Sequence, residues 1–223
     1  MKYYLIENDL DNTKVVGREY PQLECNTLGY AHAIPSYGPC KMQFKLSFDL
    51  VKGAKLTDVL STLAISASGF IISERLRTLL EKFKLERHEL IPVKIISRNQ
   101  TYNYYFLHFY GLDMVNCFDY QQSIFRITKW GFKDLGLKKF DSYESYQEYM
   151  KEYDKDYSLM TPLEHVVLKE EYKDFDFFSC PQFYHGMYVS ERLKQCIEDS
   201  HITGLSFEER YQVKDIVTLL RGI

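Results

Sequence analysis

Two serines sit in the same short motif and are the first candidates for chemistry. Ser-Glu-Arg-Leu begins at Ser73 and again at Ser190, each time after an apolar run and before an apolar-periodic segment. A serine hydrolase holds its nucleophile in a strained G-x-S-x-G turn, and neither copy has these flanking glycines. A nucleophile also needs a base within hydrogen-bond reach, which a sequence does not locate. The pattern therefore favours a structural role for both serines.

A serine at the start of a helix accounts for the spacing of both copies. The side-chain oxygen of Ser73 would accept the backbone N–H two or three residues later, and Glu74 would face the positive end of the helix dipole. The apolar residues that follow recur at helical period, namely Leu76, Leu79, Leu80 and Phe83 in the first copy and Leu193, Cys196 and Ile197 in the second. We therefore predict that Ser73 and Ser190 are structural helix caps.

Histidine and cysteine show no ligand pattern. The six histidines are scattered, and the five cysteines form an odd set without a C-x-x-C pair. There is also no glycine-rich phosphate loop. We therefore predict no metal and no cofactor, with a zinc site assembled from distant Cys and His as the less favoured alternative, and we expect free thiols in a reducing compartment.

The composition of the chain excludes some classes of binding partner. The 223 residues are 45% hydrophobic with a formal net charge of −3, which is typical of a soluble globular protein without a basic field for nucleic acid. No apolar run approaches the ~20 residues of a membrane helix, and the start of the chain turns acidic before a signal peptide can develop. The expectation is a cytoplasmic protein with no nucleic-acid or membrane partner, while the oligomeric state stays open.

The alternation of apolar and polar residues predicts a strand-rich protein with packed helices. Strands are expected in KYYLIEN from Lys2, KMQFKLSFDL from Lys41, HELIPVKII from His88 with an interruption at Pro92, and TYNYYFLHFYG from Thr101. A hairpin should join the last two, and the apolar spacing of residues 56–63 predicts a short helix. The predicted fold class is α+β, a mixed, mainly antiparallel sheet with packed helices and two weakly repeated strand-helix-strand units.

No linker rich in Gly, Ser or Pro divides the chain. We therefore expect a single domain over residues 1–223, with about 1–135 and 136–223 as the division if it forms two lobes.

One acidic segment carries most of the charge asymmetry. Between Asp141 and Asp176 there are eleven acidic residues and four lysines, a net charge of −7, so the remainder of the chain balances at +4. Its tyrosines recur along one side of a predicted helix, with glutamates opposite. Such a stripe either packs on the protein's own core or anchors a partner whose basic groups pair with the carboxylates. The candidate partner-binding residues are Tyr143, Glu144, Glu148, Glu152, Asp154 and Asp156.

The order of several short motifs resembles one family. Thr57-Asp58-x-Leu60, the first SERL, Glu89-Leu-x-Pro-Val, Tyr104-Tyr-Phe-Leu, the second SERL and Thr203-Gly-Leu-Ser-Phe follow one another along the chain. Together they resemble the bacterial immunity proteins of polymorphic toxin systems, the immunity family numbered eleven and formerly a domain of unknown function. The resemblance is closest over residues 56–120 and 175–208, and the acidic segment has no counterpart in its pattern.

The resemblance implies a non-enzymatic antitoxin, made in the cytoplasm, that binds and neutralises a cognate toxin protein by stoichiometric inhibition. The residues that match its pattern are taken as structural: Ser73, Glu74, Leu76, Ser190, Glu191, Leu193, Gly204 and Phe207. A partner-specific surface is then expected in the unmatched acidic segment. The alternative is an enzyme of unfamiliar type, a serine- or cysteine-dependent hydrolase using Ser73 or the pair Cys180 and His185.

Overall fold

Strands dominate the computed structural model of the chain. It describes residues 2–27, 31–35, 38–41, 45–110, 115–130, 133–153, 159–160, 163–165, 167–180 and 186–208. In chain order the elements are β1 (Tyr3–Asn8), α1 (Thr13–Val16), β2 (Leu23–Cys25), β3 (Leu46–Leu50), β4 (Val59–Leu60), β5 (Gly69–Ser73), α2 (Glu74–Leu80), β6 (His88–Ser97), β7 (Gln100–Phe109), β8 (Ile124–Lys129), β9 (Lys133–Lys138), α3 (Tyr143–Tyr153), β10 (Leu159–Met160), β11 (Leu163–His165), a 3-10 turn (Glu170–Tyr172), β12 (Phe177–Cys180), β13 (Gly186–Ser190), α4 (Glu191–Asp199) and β14 (Leu205–Glu208). The predicted α+β class is confirmed.

Three sheets form within these residues. One has six strands in the order β2-β3-β6-β7-β5-β4, a second has four in the order β12-β13-β1-β14, and a third joins β9, β10 and β11 to β8. Among these strand pairs only β3 and β6 run parallel, and the rest are antiparallel. In the described part of the chain, no helix is long and apolar enough to cross a membrane.

The short helix predicted over residues 56–63 is wrong. The chain forms β4 there, with Val59 opposite Ile72 and Leu60 opposite Ile71 of β5. Leu63, which the helical spacing would have placed on the apolar side, is 68% exposed. Pairing with a neighbouring strand therefore overrides a helical spacing that extends over only eight residues.

The predicted hairpin is confirmed, and it is longer than expected. Strands β6 and β7 pair without a break from His88 to Ser97, so the interruption predicted at Pro92 is wrong. On the other side of β6, pairing with β3 starts only at Val93, so the missing N–H of Pro92 costs no bond in that pair. Arg98 and Asn99 form the turn with φ of 48° and 63°, and positive φ at both central residues is the type I′ geometry that suits hairpins.

The two SERL copies lie in the same local structure, each anchored by a buried aspartate. Asp58 stands just before β4 and Asp176 just before β12, and each of these strands pairs with the strand that ends in the SERL serine. The Oγ of Ser73 donates to Oδ1 of Asp58 at 2.8 Å, and the Oγ of Ser190 donates to Oδ1 of Asp176 at 2.7 Å. The serine N–H donates to the carbonyl of the same aspartate in both copies, at 2.7 and 2.8 Å.

The second oxygen of each carboxylate binds the other copy. Oδ2 of Asp58 accepts the backbone N–H of Thr203, which follows α4, at 3.0 Å. Oδ2 of Asp176 accepts the backbone N–H of Lys84, which follows α2, at 2.9 Å. Each aspartate therefore fixes the start of its own helix and the chain that leaves the other helix.

The SERL arginines reinforce this exchange. Arg75 donates to Oδ2 of Asp58 at 3.3 Å and to the carbonyls of Ser200 and His201 at the end of α4. Arg192 donates from Nε to Oδ1 of Asp176 and from Nη2 to Oδ2, each at 2.5 Å. Such bidentate pairing is stronger than a neutral hydrogen bond and more selective in geometry.

Both helices bury their apolar side in one core. Leu76 and Leu80 of α2 belong to the same buried cluster as Leu193 and Ile197 of α4. The predicted stripes are thus confirmed within α2 and α4, while Phe83 lies beyond the end of α2 and packs partly buried against the same cluster.

Replacing Asp176 with Asn should lower the free energy of unfolding by about 2–3 kcal/mol near neutral pH, because hydrogen bonds to a charged group are worth about 1.5–3 kcal/mol each. Burial would raise the pKa of Asp176, but hydrogen bonds from Arg192, Ser190 and Lys84 outweigh it and lower this pKa. The stabilisation is therefore complete above the unfolded pKa of about 4 and is lost as the pH falls through the folded pKa. Urea unfolding of both proteins should show the difference shrinking below about pH 4.

The control is Asp174→Asn, because the 62% exposed Asp174 side chain pairs with Lys84 on the surface. It should change stability by no more than about 1 kcal/mol. A cost as large as that of Asp176→Asn would contradict the special role of the buried carboxylate.

Candidate functional site

Helix α3, in the acidic segment, starts at a pair of serines. Oγ of Ser142 accepts the backbone N–H of Ser145 at 3.3 Å, and Oγ of Ser145 accepts the backbone N–H of Ser142 at 3.1 Å. This reciprocal arrangement satisfies N–H groups that a helix start leaves without intrahelical partners. It places Glu144 in the first turn, where the helix dipole favours a carboxylate.

The tyrosine side of α3 faces the protein's own core. Tyr146 is buried, and Tyr143, Tyr149 and Met150 pack partly buried against the same cluster. The ring of Tyr146 meets Phe140 edge-on at 5.3 Å, and such aromatic pairs add stability beyond the area they bury. Of the two readings that the sequence left open for this stripe, packing on the core is the one observed for these residues.

The opposite side of α3 is exposed and borders a cleft. Glu144 and Glu148 are exposed one turn apart. Next to Glu144 lies an open cleft of about 410 Å³ at the start of α3, lined also by Asp119, Asp141, Tyr143 and Lys169. We call Asp119, Asp141, Glu144, Tyr143 and Lys169 the acidic cleft. A hydrogen bond with Ser142 and the charge of Lys169 lower the pKa of Glu144, so its carboxylate is charged at neutral pH.

Three residues of the acidic cleft, Asp119, Asp141 and Lys169, are not among the candidates predicted from the sequence. Asp119 and Lys169 are neighbours because Phe118 and Leu168 form an isolated antiparallel bridge. Pairing between single residues so far apart leaves no periodic signal in the sequence.

Several candidate residues lie outside the described part of the structure. Asp154 and Asp156 are not described, and Glu152 is described only as a backbone position in α3. The proposed pair Cys180 and His185 cannot be placed either, because the Cys180 side chain and all of His185 are outside the described residues.

The comparison with known families identifies the scaffold. Residues 2–212 match the immunity protein family (Imm11). The chain belongs to this immunity protein family. The match confirms the resemblance carried by the ordered motifs, and it spans the acidic segment as well. Membership indicates a toxin-neutralising immunity protein.

Among curated proteins, no sequence matches the chain significantly.

In this family member both SERL serines are occupied by structural bonds. Oγ of Ser73 accepts the N–H of Leu76 at 3.2 Å while it donates to Asp58, and Oγ of Ser190 does the same with Leu193 and Asp176. Ser190 is also 0% exposed, so no substrate reaches it. The geometry does not favour the serine-hydrolase alternative.

A cluster of Cys40, Glu89 and His108 is the nearest approach to cysteine chemistry among the described residues. Nδ1 of His108 lies 2.9 Å from Oε1 of Glu89 and 4.0 Å from Sγ of Cys40. A catalytic histidine uses one ring nitrogen for the nucleophile and the other for the group that orients it, whereas here both partners lie at the same nitrogen. Burial, with a contribution from Glu89, raises the pKa of the Cys40 thiol to about 12. The free thiol is therefore protonated and a poor nucleophile at neutral pH.

Replacing Ser73 with Ala should lower the free energy of unfolding by about 2 kcal/mol, since it removes a helix cap and a hydrogen bond to a carboxylate. Neutralisation of the toxin should be unchanged at temperatures where the variant is folded. Urea unfolding and a growth-protection assay measure the two properties on the same protein.

Ser66 provides the matched control for this change, because it is exposed in a loop. Ser66→Ala should change stability by less than about 0.5 kcal/mol. If Ser73→Ala kept wild-type stability but no longer protected cells from the toxin, that result would support the serine-hydrolase alternative.

Proposed function

We propose that this protein binds a cognate bacterial toxin domain in the cytoplasm and blocks it by stoichiometric inhibition, without catalysis. The observation that carries the proposal is the acidic cleft at the start of α3 in a chain that belongs to an immunity family. Its partner would be a toxin domain with a basic surface, such as one that holds a nucleic-acid substrate.

Charge supports this choice of surface. Glu144 and Glu148 project from α3, and Asp119 and Asp141 add carboxylates at its start, against the single cation Lys169 among the cleft residues. Complementary charge raises the rate of encounter and sets the orientation of a complex more than it sets raw affinity. An immunity protein must capture its toxin before the toxin finds its substrate, so fast association is the property that matters.

The packing beneath the acidic cleft also supports this choice of binding surface. The ring of Tyr143 lies at 6.0 Å from Tyr146 and at 6.3 Å from Tyr120, whose hydroxyl donates to the carbonyl of Val115 at 2.8 Å. A half-buried tyrosine held in this way presents contact area without losing much conformational freedom on binding. Tyr143 is therefore the proposed anchor, and the carboxylates around it are the groups that pair with the partner.

The first test is the complex itself. The protein is co-expressed with the toxin domain encoded by the neighbouring gene, and the mixture is examined by size-exclusion chromatography with light scattering. We expect a stable one-to-one complex and loss of toxin activity that is complete at equimolar protein. Protection at far less than one equivalent would point to enzymatic inactivation and overturn the proposed mechanism.

Reversing Glu144, Glu148 and Glu152 together to Lys should slow association with the toxin at low salt and weaken the complex, because the steering charge changes sign. The melting temperature should fall by only a few degrees, because Glu144 and Glu148 are exposed and the helix-dipole contribution lost at Glu144 is about 0.3–1 kcal/mol. Association rates by biolayer interferometry at several salt concentrations measure the effect.

The control reversal is Asp199→Lys, which alters an exposed carboxylate on α4. It should leave the association rate within about twofold, as expected for a charge outside the interface. Unchanged affinity in the triple variant would exclude this surface as the toxin site, while the one-to-one complex would still stand.

A further inference from the structure

Cys40, Glu89 and His108 converge although they lie far apart in sequence. Glu89 of β6 and His108 of β7 are directly opposite in the antiparallel pair, so their side chains are on the same face of the sheet. Cys40 comes from the described segment 38–41 and packs against the core cluster on that face. One ligand-type atom from each residue lies within 4.8 Å of the other two.

The separations fit a tetrahedral zinc ion. With Zn–S near 2.3 Å and Zn–N or Zn–O near 2.0–2.1 Å, tetrahedral angles place sulfur about 3.6 Å from nitrogen and nitrogen about 3.3 Å from oxygen. The corresponding distances are 4.0 Å from Cys40 Sγ to His108 Nδ1 and 2.9 Å from His108 Nδ1 to Glu89 Oε1. The third separation, from Cys40 Sγ to the Glu89 carboxylate, is within 4.8 Å, against about 3.6 Å around a tetrahedral ion, so side-chain shifts of about 1 Å or less would place all three atoms at ligand distance.

The donor set also selects the metal. A thiolate, an imidazole and a carboxylate are the ligands that Zn²⁺ takes in proteins, whereas Mg²⁺ and Ca²⁺ require oxygen. Nε2 of His108 is buried without a hydrogen-bond partner, so the polar contacts of the ring are concentrated at Nδ1, beside Cys40 and Glu89. In a metal-bound form the ring would carry its proton on Nε2.

Access to the cluster is one-sided. The His108 side chain is 0% exposed, whereas that of Glu89 is 26% exposed, so an ion can enter from the Glu89 side and keep a water molecule as its fourth ligand. Zn²⁺ would replace the proton of the thiol, which passes to solvent.

We propose that Cys40 Sγ, His108 Nδ1 and the Glu89 carboxylate bind one Zn²⁺, with water as the fourth ligand. The ion fastens segment 38–41 to the face of the six-stranded sheet. The site is structural and is independent of the acidic cleft.

Metal binding to the full chain, stripped with a chelator, tests this directly. Titration with Co²⁺ alone should saturate at one equivalent and give thiolate-to-cobalt charge-transfer absorption in the near ultraviolet, and one equivalent of Zn²⁺ should abolish this band. Cys40→Ser should remove the band and weaken Zn²⁺ binding by at least about 100-fold, since losing even an outer-shell partner costs 10–100-fold. Glu89→Gln should weaken binding in the same direction.

The matched control is Cys196→Ser, which changes a half-buried free cysteine on α4 and should keep both the band and the affinity. Circular dichroism of the metal-free variants checks that they fold. If Cys40→Ser does not fold, X-ray absorption at the zinc edge of the wild-type protein decides, with one sulfur and three lighter ligands expected. Binding that is not equimolar, a band that survives Cys40→Ser, or a zinc ion without sulfur would overturn the proposal.

Discussion

The fold depends on two carboxylates that are taken out of water and must be fully hydrogen-bonded. Asp176 has no exposed surface and Asp58 is 9% exposed. An ionised carboxylate in such a place costs several kcal/mol unless donors surround it. Here the donors are a serine hydroxyl, an arginine and a backbone N–H, and they come from both SERL units. The starts of α2 and α4, the strand pairs β4–β5 and β12–β13, and the return of the chain after each of these helices all meet at these two groups.

This arrangement separates the scaffold from the surface that we propose for binding. Helices α2 and α4, whose starts the aspartate networks fix, pack in one core cluster, whereas α3 rests on another, built from Phe118, Phe125 and Phe140. Exposed residues of α3 are therefore free to change without disturbing the buried carboxylates. Most surface substitutions away from special features alter stability by less than about 0.5 kcal/mol, so the exposed side of α3 tolerates sequence change.

Local signals in the sequence were enough to place α2, α3 and α4, whereas α1 and the long-range pairings were not predicted. The serine, the acidic first turn and the apolar spacing mark the start of α2 and α4, and Arg98-Asn99 between two alternating runs marks the hairpin. The strand at Val59-Leu60 was missed because its identity depends on β5, not on its own spacing. Asp58 was noted only as part of a family motif, since its partner Thr203 lies 145 residues away. The large sequence separation also explains why the proximity of Asp119 to Lys169 and of Cys40 to His108 was not predicted.

The exchange of hydrogen bonds between the two SERL units also sets an order of events during synthesis. Lys84 and Asp176 are 92 residues apart, and the carboxylate of Asp58 waits for Thr203 near the end of the described chain. Contacts between such distant residues close late, and chains rich in them fold slowly. A ribosome adds only about 5–20 residues each second, so the first SERL unit spends several seconds with its aspartate lacking its final partner. Polypeptides that stop short of Thr203 lack β14 and the donors that reach Oδ2 of Asp58 from the other unit, so the exchange between the two units is complete only in longer chains.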